Sequence, residues 1–399
     1  MIKYENPLKK NSLKDINLPL FVYLRGQNKK RSQKATKYRA MINTLTSLRF
    51  IFALMVFGAH CYTIDKFFDT HFFKEGFVGV SFFFVLSGFI IAYNYQKKFS
   101  ENKITKRAFW VARIARIYPL HWLTLLIAVA LGNYVIASGT IDWCKHFLAS
   151  LTLTNAYIPK DNYFFSFNSP SWSLCCEQLF YICFPFLIAF TKDYRKLLST
   201  FLICTILSIV GRAFTPMESI KGYWYVNPIT RLPDFIAGML LFQLYDHLKT
   251  KNITSSQGSI IEIASIALFL SFYLYAAEIP KVYRYSCYYW IPIAFILISF
   301  SLQKGMVSRL LSNRLLVIGG EISYSFYLIH LFVLLSYAKW QKESDFHIDW
   351  YISIPLLFCV IILLSLFSYY HFEKPMNKLV KTLLSKQSMR QPVKHEEKA

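Results

Sequence analysis

Ten apolar runs, each close to the length that crosses a bilayer, punctuate this sequence and leave it few possible folds. They fall near residues 45–64, 77–95, 117–138, 171–190, 195–212, 229–246, 259–276, 285–302, 318–338 and 351–371. Backbone polar groups in hydrocarbon need partners within the segment, so such runs predict helices. The fold class that follows is all-α, a polytopic membrane protein with about ten transmembrane helices. With 55% of residues hydrophobic and only 17% charged, the composition points the same way.

Lysine and arginine set the expected orientation, because short cytoplasmic loops hold the excess of basic residues. Basic clusters occupy the stretch before residue 45, the loop from Lys97 to Arg116, the Lys192/Arg195/Lys196 turn, the Lys249/Lys251 segment, the Lys304/Arg309/Arg314 segment and the C-terminal tail. That is every second connection, so both termini are expected in the cytoplasm. The domain reading is a basic cytoplasmic tail over 1–44, a transmembrane domain over 45–375 and a second cytoplasmic tail over 376–399. The net charge of +23 resides in these loops and tails rather than on a soluble unit, which argues for topology and anionic lipid and against nucleic acid. Residues 1–44 exceed a signal-peptide n-region and precede a full span, so no cleavage is expected. Eight cysteines without CxxC spacing, mostly inside spans, suggest packing, with neither disulfide nor metal site. No repeat of fixed period is visible. The longest outward connection, about residues 139–170, is aromatic and polar and is expected to cap the outer mouth.

Ionisable side chains inside a span are costly enough to be functional candidates by default. Arg49 and His60 lie eleven residues apart in LRFIFALMVFGAHCY, which returns them to nearly one helix face roughly 16 Å apart along the axis. Ala53 and Val56 between them leave room for a neighbouring helix or a thin ligand. In NSPSWSLCCEQLFYICFP, Ser169-Pro170 is a helix start, and Ser173, Glu177 and Tyr181 repeat every four residues on one face. Counting from span edges puts Glu177 about 7 Å and His60 about 8 Å below the outer edge, so the two are expected at one level, the carboxylate orienting a basic imidazole. The competing reading is a structural pair tying two helices.

Other stretches carry weaker signals. Arg113 and Arg116, with Arg107 nearby, lie on the inner rim of the third span, where arginine can fork onto phosphate or simply obey the positive-inside rule. Ser323, Tyr327 and His330 share a face of the ninth span, and for His330 a helix-to-helix hydrogen bond is the first reading and catalysis the second. Arg231 and Asp234 are close enough to neutralise one another, as structure or as contacts to a polar acceptor. Gly76, Gly79 and Ser87-Gly88 suit close helix packing. Glu373 and Pro375, in YYHFEKP, read as a helix stop.

These stretches, in order, resemble the acyltransferase 3 family of multi-span bacterial membrane acyltransferases. The similarity rests on LRFIFALMVFGAH, GVSFFFVLSGF, RIARIYPLHW, SWSLCCEQLFYICFP, RLPDFIAGMLL, ISYSFYLIH and FEKP, between Leu48 and Pro375. The resemblance implies a multi-pass protein of the bacterial inner membrane that transfers an acyl group, commonly acetyl from acetyl-CoA, to a hydroxyl of lipopolysaccharide, capsule or another exported saccharide, free or lipid-linked. Acyl-CoA would be a co-substrate, with no bound cofactor. Arg49 and His60 match the family's essential pair, and Arg113, Arg116 and Glu177 match further functional positions. Ser81 departs from the acidic residue many members carry there. An SGNH-type esterase-like domain is not expected after the tenth span, which would leave delivery to the membrane domain or a partner.

The mechanism expected from these residues has Arg49, Arg113 and Arg116 meeting acyl-CoA phosphates and His60, steadied by Glu177, deprotonating the acceptor hydroxyl in a direct transfer. Ser173, Tyr181, Tyr327, His330, Arg231 and Asp234 form a second tier of candidates. A transporter or flippase for lipid-linked saccharides is the rival class, disfavoured by the lack of an inverted repeat and of paired Gly/Pro-broken spans. A small diffusible acceptor is a third reading. The sequence leaves oligomeric state open.

Overall fold

A computed structural model describes residues 43–132, 139–192, 194–344 and 348–388. The tail over 1–42 and the end of the C-terminal tail lie outside the described residues. Those described form helices, with no strand among them. We number the longer ones α1 (Asn43–Thr63), α2 (Val78–Ser100), α3 (Lys106–Ala130), α4 (Thr140–Leu151), α5 (Trp172–Leu187), α6 (Tyr194–Ala213), α7 (Pro228–Leu248), α8 (Ser255–Tyr275), α9 (Trp290–Leu302), α10 (Arg314–Glu343), α11 (Trp350–Ser368) and α12 (Lys374–Ser388). Short polar residues start several of them, as a helix with four unpaired N–H groups requires. Thr105 accepts from Ala108 N at the head of α3, Asn313 from Leu315 N at α10, and Thr254 forms a capping box with Gln257 at α8.

Eight helical spans are long and apolar enough to cross a membrane. The sixth and eighth expected spans take other forms. The sixth is α7, with 21 residues, and the eighth is the short apolar helix Cys287–Leu302. A helix shielded from lipid need not be uniformly apolar, and α7 is shielded by α2. At their crossing a Cβ on Gly88 would strike the Phe235 carbonyl, and one on Gly238 would strike that of Val85. Only glycine allows this approach. Leu, Ile and Val of α6, α8 and α11 remain exposed on the outside, where hydrocarbon would lie.

Two local features position the site. The connection after α3, expected to cap the outer mouth, enters the bundle at Asn168 and Pro170. Asn168 Nδ2 donates to Leu328 O (3.2 Å), and Tyr327 Oη donates to Pro170 O (3.1 Å). Tyr327 lies thirteen residues into α10, roughly 20 Å from that helix's basic end. Helix α5 therefore begins near mid-bundle rather than at the outer edge.

The second feature corrects the expected stop at Glu373 and Pro375. Residues Tyr369–Glu373 form a π-helical turn after α11, and α12 continues from Lys374. Pro375 falls directly after that turn, one residue into α12. The wide turn re-aims the helix, so Glu373 is buried and α12 lies along α3, Asn377 Nδ2 donating to Ala115 O (3.1 Å).

Candidate active site

Three cavities sit in series along α1, and Arg49 lines all of them. The widest, about 630 Å³, opens at the basic end between Asn43, Arg116, Arg314, Glu321, Tyr370 and Lys374. The next, about 180 Å³, is walled by Arg113, Arg116, Ser87, Glu177, Tyr181 and Tyr324. The innermost, about 50 Å³, reaches Ser173, Glu177, Ser323, Tyr324 and Tyr327. A thin, flexible, anionic molecule fits such a passage: broad and basic at the mouth, narrow and part-aromatic further in.

The cations along it differ in how far the protein satisfies them. Arg116 is ion-paired to Glu373 and lies 5.2 Å from the centre of the Tyr324 ring. Glu373 also accepts from Ser325 Oγ (2.9 Å). Arg113 donates to Tyr95 Oη (2.9 Å) and packs over the Tyr95 and Tyr181 rings. Arg49 makes no hydrogen bond or ion pair with any described residue. A cation half-withdrawn from solvent favours an anionic or polar partner, and here the cavities leave that place for a ligand.

A second constellation lies further along α1. His60 Nδ1 is 2.9 Å from Val56 O and 3.2 Å from His330 Nε2. His330 Nδ1 is 2.8 Å from Tyr327 O and 3.2 Å from Phe326 O. Phe57, Phe326 and Tyr327 surround the His330 ring. Tyr327 joins the two constellations, since its ring also lines the innermost cavity.

Residues 42–370 match the acyltransferase domain of the family that the motifs resemble. The chain belongs to the acyltransferase 3 family. It is 31% identical over 372 residues to a protein of Staphylococcus aureus (strain COL) named "Putative O-acetyltransferase", the match covering 86% of this chain and 59% of that one. It is 28% identical to "Acyltransferase MdmB" of Streptomyces mycarofaciens, over 75% of this chain and 84% of that protein. It is 24% identical to "Peptidoglycan O-acetyltransferase OatA" of Listeria monocytogenes, over 75% of this chain and 50% of that one. The chain spans about three fifths of the length of the staphylococcal relatives. No solved structure matches.

Within this acyltransferase 3 member, the residues anticipated from sequence divide into three groups. Arg49, Arg113, Arg116, Glu177 and Tyr181 do share a cavity, and Ser173 and Tyr327 line the one beyond it. His60 and His330 meet across α1 and α10. The expected pairing of Glu177 with His60 is not formed. Glu177 Oε2 accepts from Tyr181 Oη (2.7 Å), and its carboxylate lines the cavities of Arg49. The depth count failed because α5 starts inside the bundle, and Glu177 then lies five residues further toward the basic end, about 7 Å.

Arg231 and Asp234 form the third group. Both are fully buried and paired (2.9 Å). Arg231 also donates to Ser81 Oγ (2.8 Å) and to Tyr285 O, while Asp234 accepts from Ser286 Oγ (3.0 Å) and from Trp290. Ser81, where the resemblance leads one to expect an acidic residue, is part of this lattice. Sequence reasoning missed Tyr324, Arg314 and Lys374 as cavity residues and Glu373 as the partner of Arg116. The rule that singled out Glu177, a carboxylate at the edge of a long apolar run, applies equally to Glu373.

Proposed function

We propose that the protein is a membrane O-acyltransferase that moves an acyl group, acetyl in the simplest case, from acyl-CoA to a hydroxyl of a cell-envelope saccharide. The observation that carries this reading is Arg49: a half-buried guanidinium with no hydrogen bond or ion pair to a described residue, common to three cavities that narrow from a basic mouth. Phosphates of the donor would engage Arg49 and the mouth cations Arg314 and Lys374, as forked or point-charge contacts. Arg113 and Arg116, already held by Tyr95 and Glu373, would shape the passage and add positive potential.

The reaction needs one base. As the acceptor oxygen attacks the thioester carbonyl, its proton passes to His60, the new C–O bond forms, the C–S bond breaks and the thiolate takes the proton back from the imidazolium. A placed base of this kind contributes about 10²- to 10⁴-fold. Direct transfer suffices, because no thiol or hydroxyl nucleophile is hydrogen-bonded to the His60 ring among the described residues, the Thr63 hydroxyl donating to the His60 backbone carbonyl instead. The alternation of basic loops supports a cytoplasmic mouth and an acceptor that arrives from the opposite face of a bacterial inner membrane.

Mass spectrometry of envelope glycans from cells with and without the gene tests the reading: loss of an acetyl or longer acyl mass names donor group and product together. Unchanged glycan masses alongside accumulated lipid-linked saccharide would favour a flippase. Sidedness has its own check in a background cleared of native cysteines. Probes at Lys103 and Ser312 should react only when the inner face is exposed, and probes at Asp69 and Lys160 in intact cells. Outer labelling at Lys103 would remove the donor's route.

A further inference from the structure

We propose that His330 is a positioning residue that fixes the tautomer of His60, so that the hydrogen sits on Nδ1 and the lone pair of Nε2 is the base. This role in catalysis rests on the acyl-transfer reading; the tautomer itself does not.

His330 Nδ1 lies against two backbone carbonyls, Tyr327 O and Phe326 O. Carbonyl oxygens only accept, so in the neutral ring this nitrogen carries the hydrogen and Nε2 is left as an acceptor. That acceptor lies 3.2 Å from His60 Nδ1, whose other neighbour, 2.9 Å away, is the Val56 carbonyl. Both neighbours of His60 Nδ1 accept, so it too must carry the hydrogen. One tautomer is then left for His60, with an unprotonated Nε2 that has no hydrogen-bond partner among the described residues. The His60 ring is part-exposed, whereas His330 is buried. The pair thus has a sealed member that orients and an accessible member that reacts.

The same bond gains strength during turnover. When His60 Nε2 takes a proton, its Nδ1–H becomes a charged donor to His330 Nε2, and charge-assisted hydrogen bonds are roughly twice as strong as neutral ones. An imidazole anchored by backbone thus does here what a carboxylate does for the histidine of a hydrolase triad, where the wrong tautomer alone costs about 10⁴-fold. The loss expected here is smaller, because Val56 O still holds part of the tautomer preference.

Full-length protein with ¹⁵N-labelled histidine in nanodiscs tests this without substrate. Signals are assigned by their disappearance in His60→Gln and His330→Gln. At a pH where imidazoles are neutral, wild-type His60 should show a protonated Nδ1 and a bare Nε2. In His330→Leu it should become a tautomer mixture, and kcat should fall about 10²-fold with an unchanged donor KM. His330→Gln, whose amide oxygen reaches the place of Nε2, should recover to within about tenfold of wild type. A wild-type His60 protonated at Nε2 overturns the proposal, as does wild-type kcat in His330→Leu. Should the leucine variant fail to fold, the wild-type spectrum and the glutamine variant decide. A wild-type protein with the expected tautomer but no acyl transfer would overturn the proposed function and leave the tautomer standing.

Discussion

Arg231 and Arg49 are both arginines placed inside the helical bundle, and they are surrounded very differently. Arg231 is completed by the protein: Asp234, Ser81 and the Tyr285 carbonyl take its donors, and solvent reaches none of it. Arg49 is left open to three cavities with no protein anion or acceptor bonded to it. Burying a charge is tolerable only when it is paired. A cluster that closes on itself is therefore architecture, and one that leaves a donor set facing a passage is prepared for a ligand. The comparison predicts that mutations in the two regions will separate stability from activity.

The largest effect belongs to the open region. His60→Ala should lower acyl transfer by about 10²- to 10⁴-fold, with insertion, abundance and melting temperature in detergent close to wild type. Normal product from that variant would take His60 out of the mechanism. In the closed region the consequence inverts. Arg231→Leu strands Asp234 and should cost about 3–5 kcal/mol, read as a lower melting temperature and reduced abundance, while kcat per folded molecule holds. A variant of normal stability and lost activity would make Arg231 a ligand contact and dissolve the comparison.

Arg49→Lys asks how the open cation works. Lysine keeps the charge but not the planar fork, so donor affinity should fall about tenfold with little change in stability. Unchanged affinity would assign Arg49 a point-charge role.

The two regions were not equally legible in the sequence. Arg49, His60, Arg113, Arg116 and Glu177 stood out because charge inside an apolar run is costly, and that cost has the same origin whether a ligand or a neighbouring helix meets it. This is why Arg231 and Glu262, both met by the protein, carry the same kind of signal as Arg49, which faces a passage. Glu262 is buried, yet accepts from Gly305 N (2.8 Å) and Ser308 N (3.0 Å) and ties α8 to the turn after α9. Periodicity placed Ser323, Tyr327 and His330 on one face, but only the crossing of α1 and α10 could reveal that His330 meets His60. Depth counting assumes a helix that runs from edge to edge of the membrane. It failed for α5, whose start is carried inward by the bonds of Asn168 and Pro170 to α10. The π-helical turn at Tyr369–Glu373 was invisible for a similar reason: the residues that normally end a helix instead re-aimed one.

The smallest expected effect sharpens the internal boundary of the open region, between the passage of Arg49 and the histidine pair. Glu177 lines the passage with Arg49, and its carboxylate accepts from Tyr181. A negative charge there opposes an anionic donor. Glu177→Gln removes the charge while leaving an oxygen for the Tyr181 hydroxyl, so the donor KM should fall by about threefold at low ionic strength. The gain should shrink as salt screens the field. Because no bond joins Glu177 to His60, kcat should stay within about threefold of wild type. Steady-state kinetics at two salt concentrations measures both. If kcat instead collapses at constant KM, Glu177 acts on the base during turnover, and the passage and the histidine pair are one catalytic unit rather than two adjoining ones.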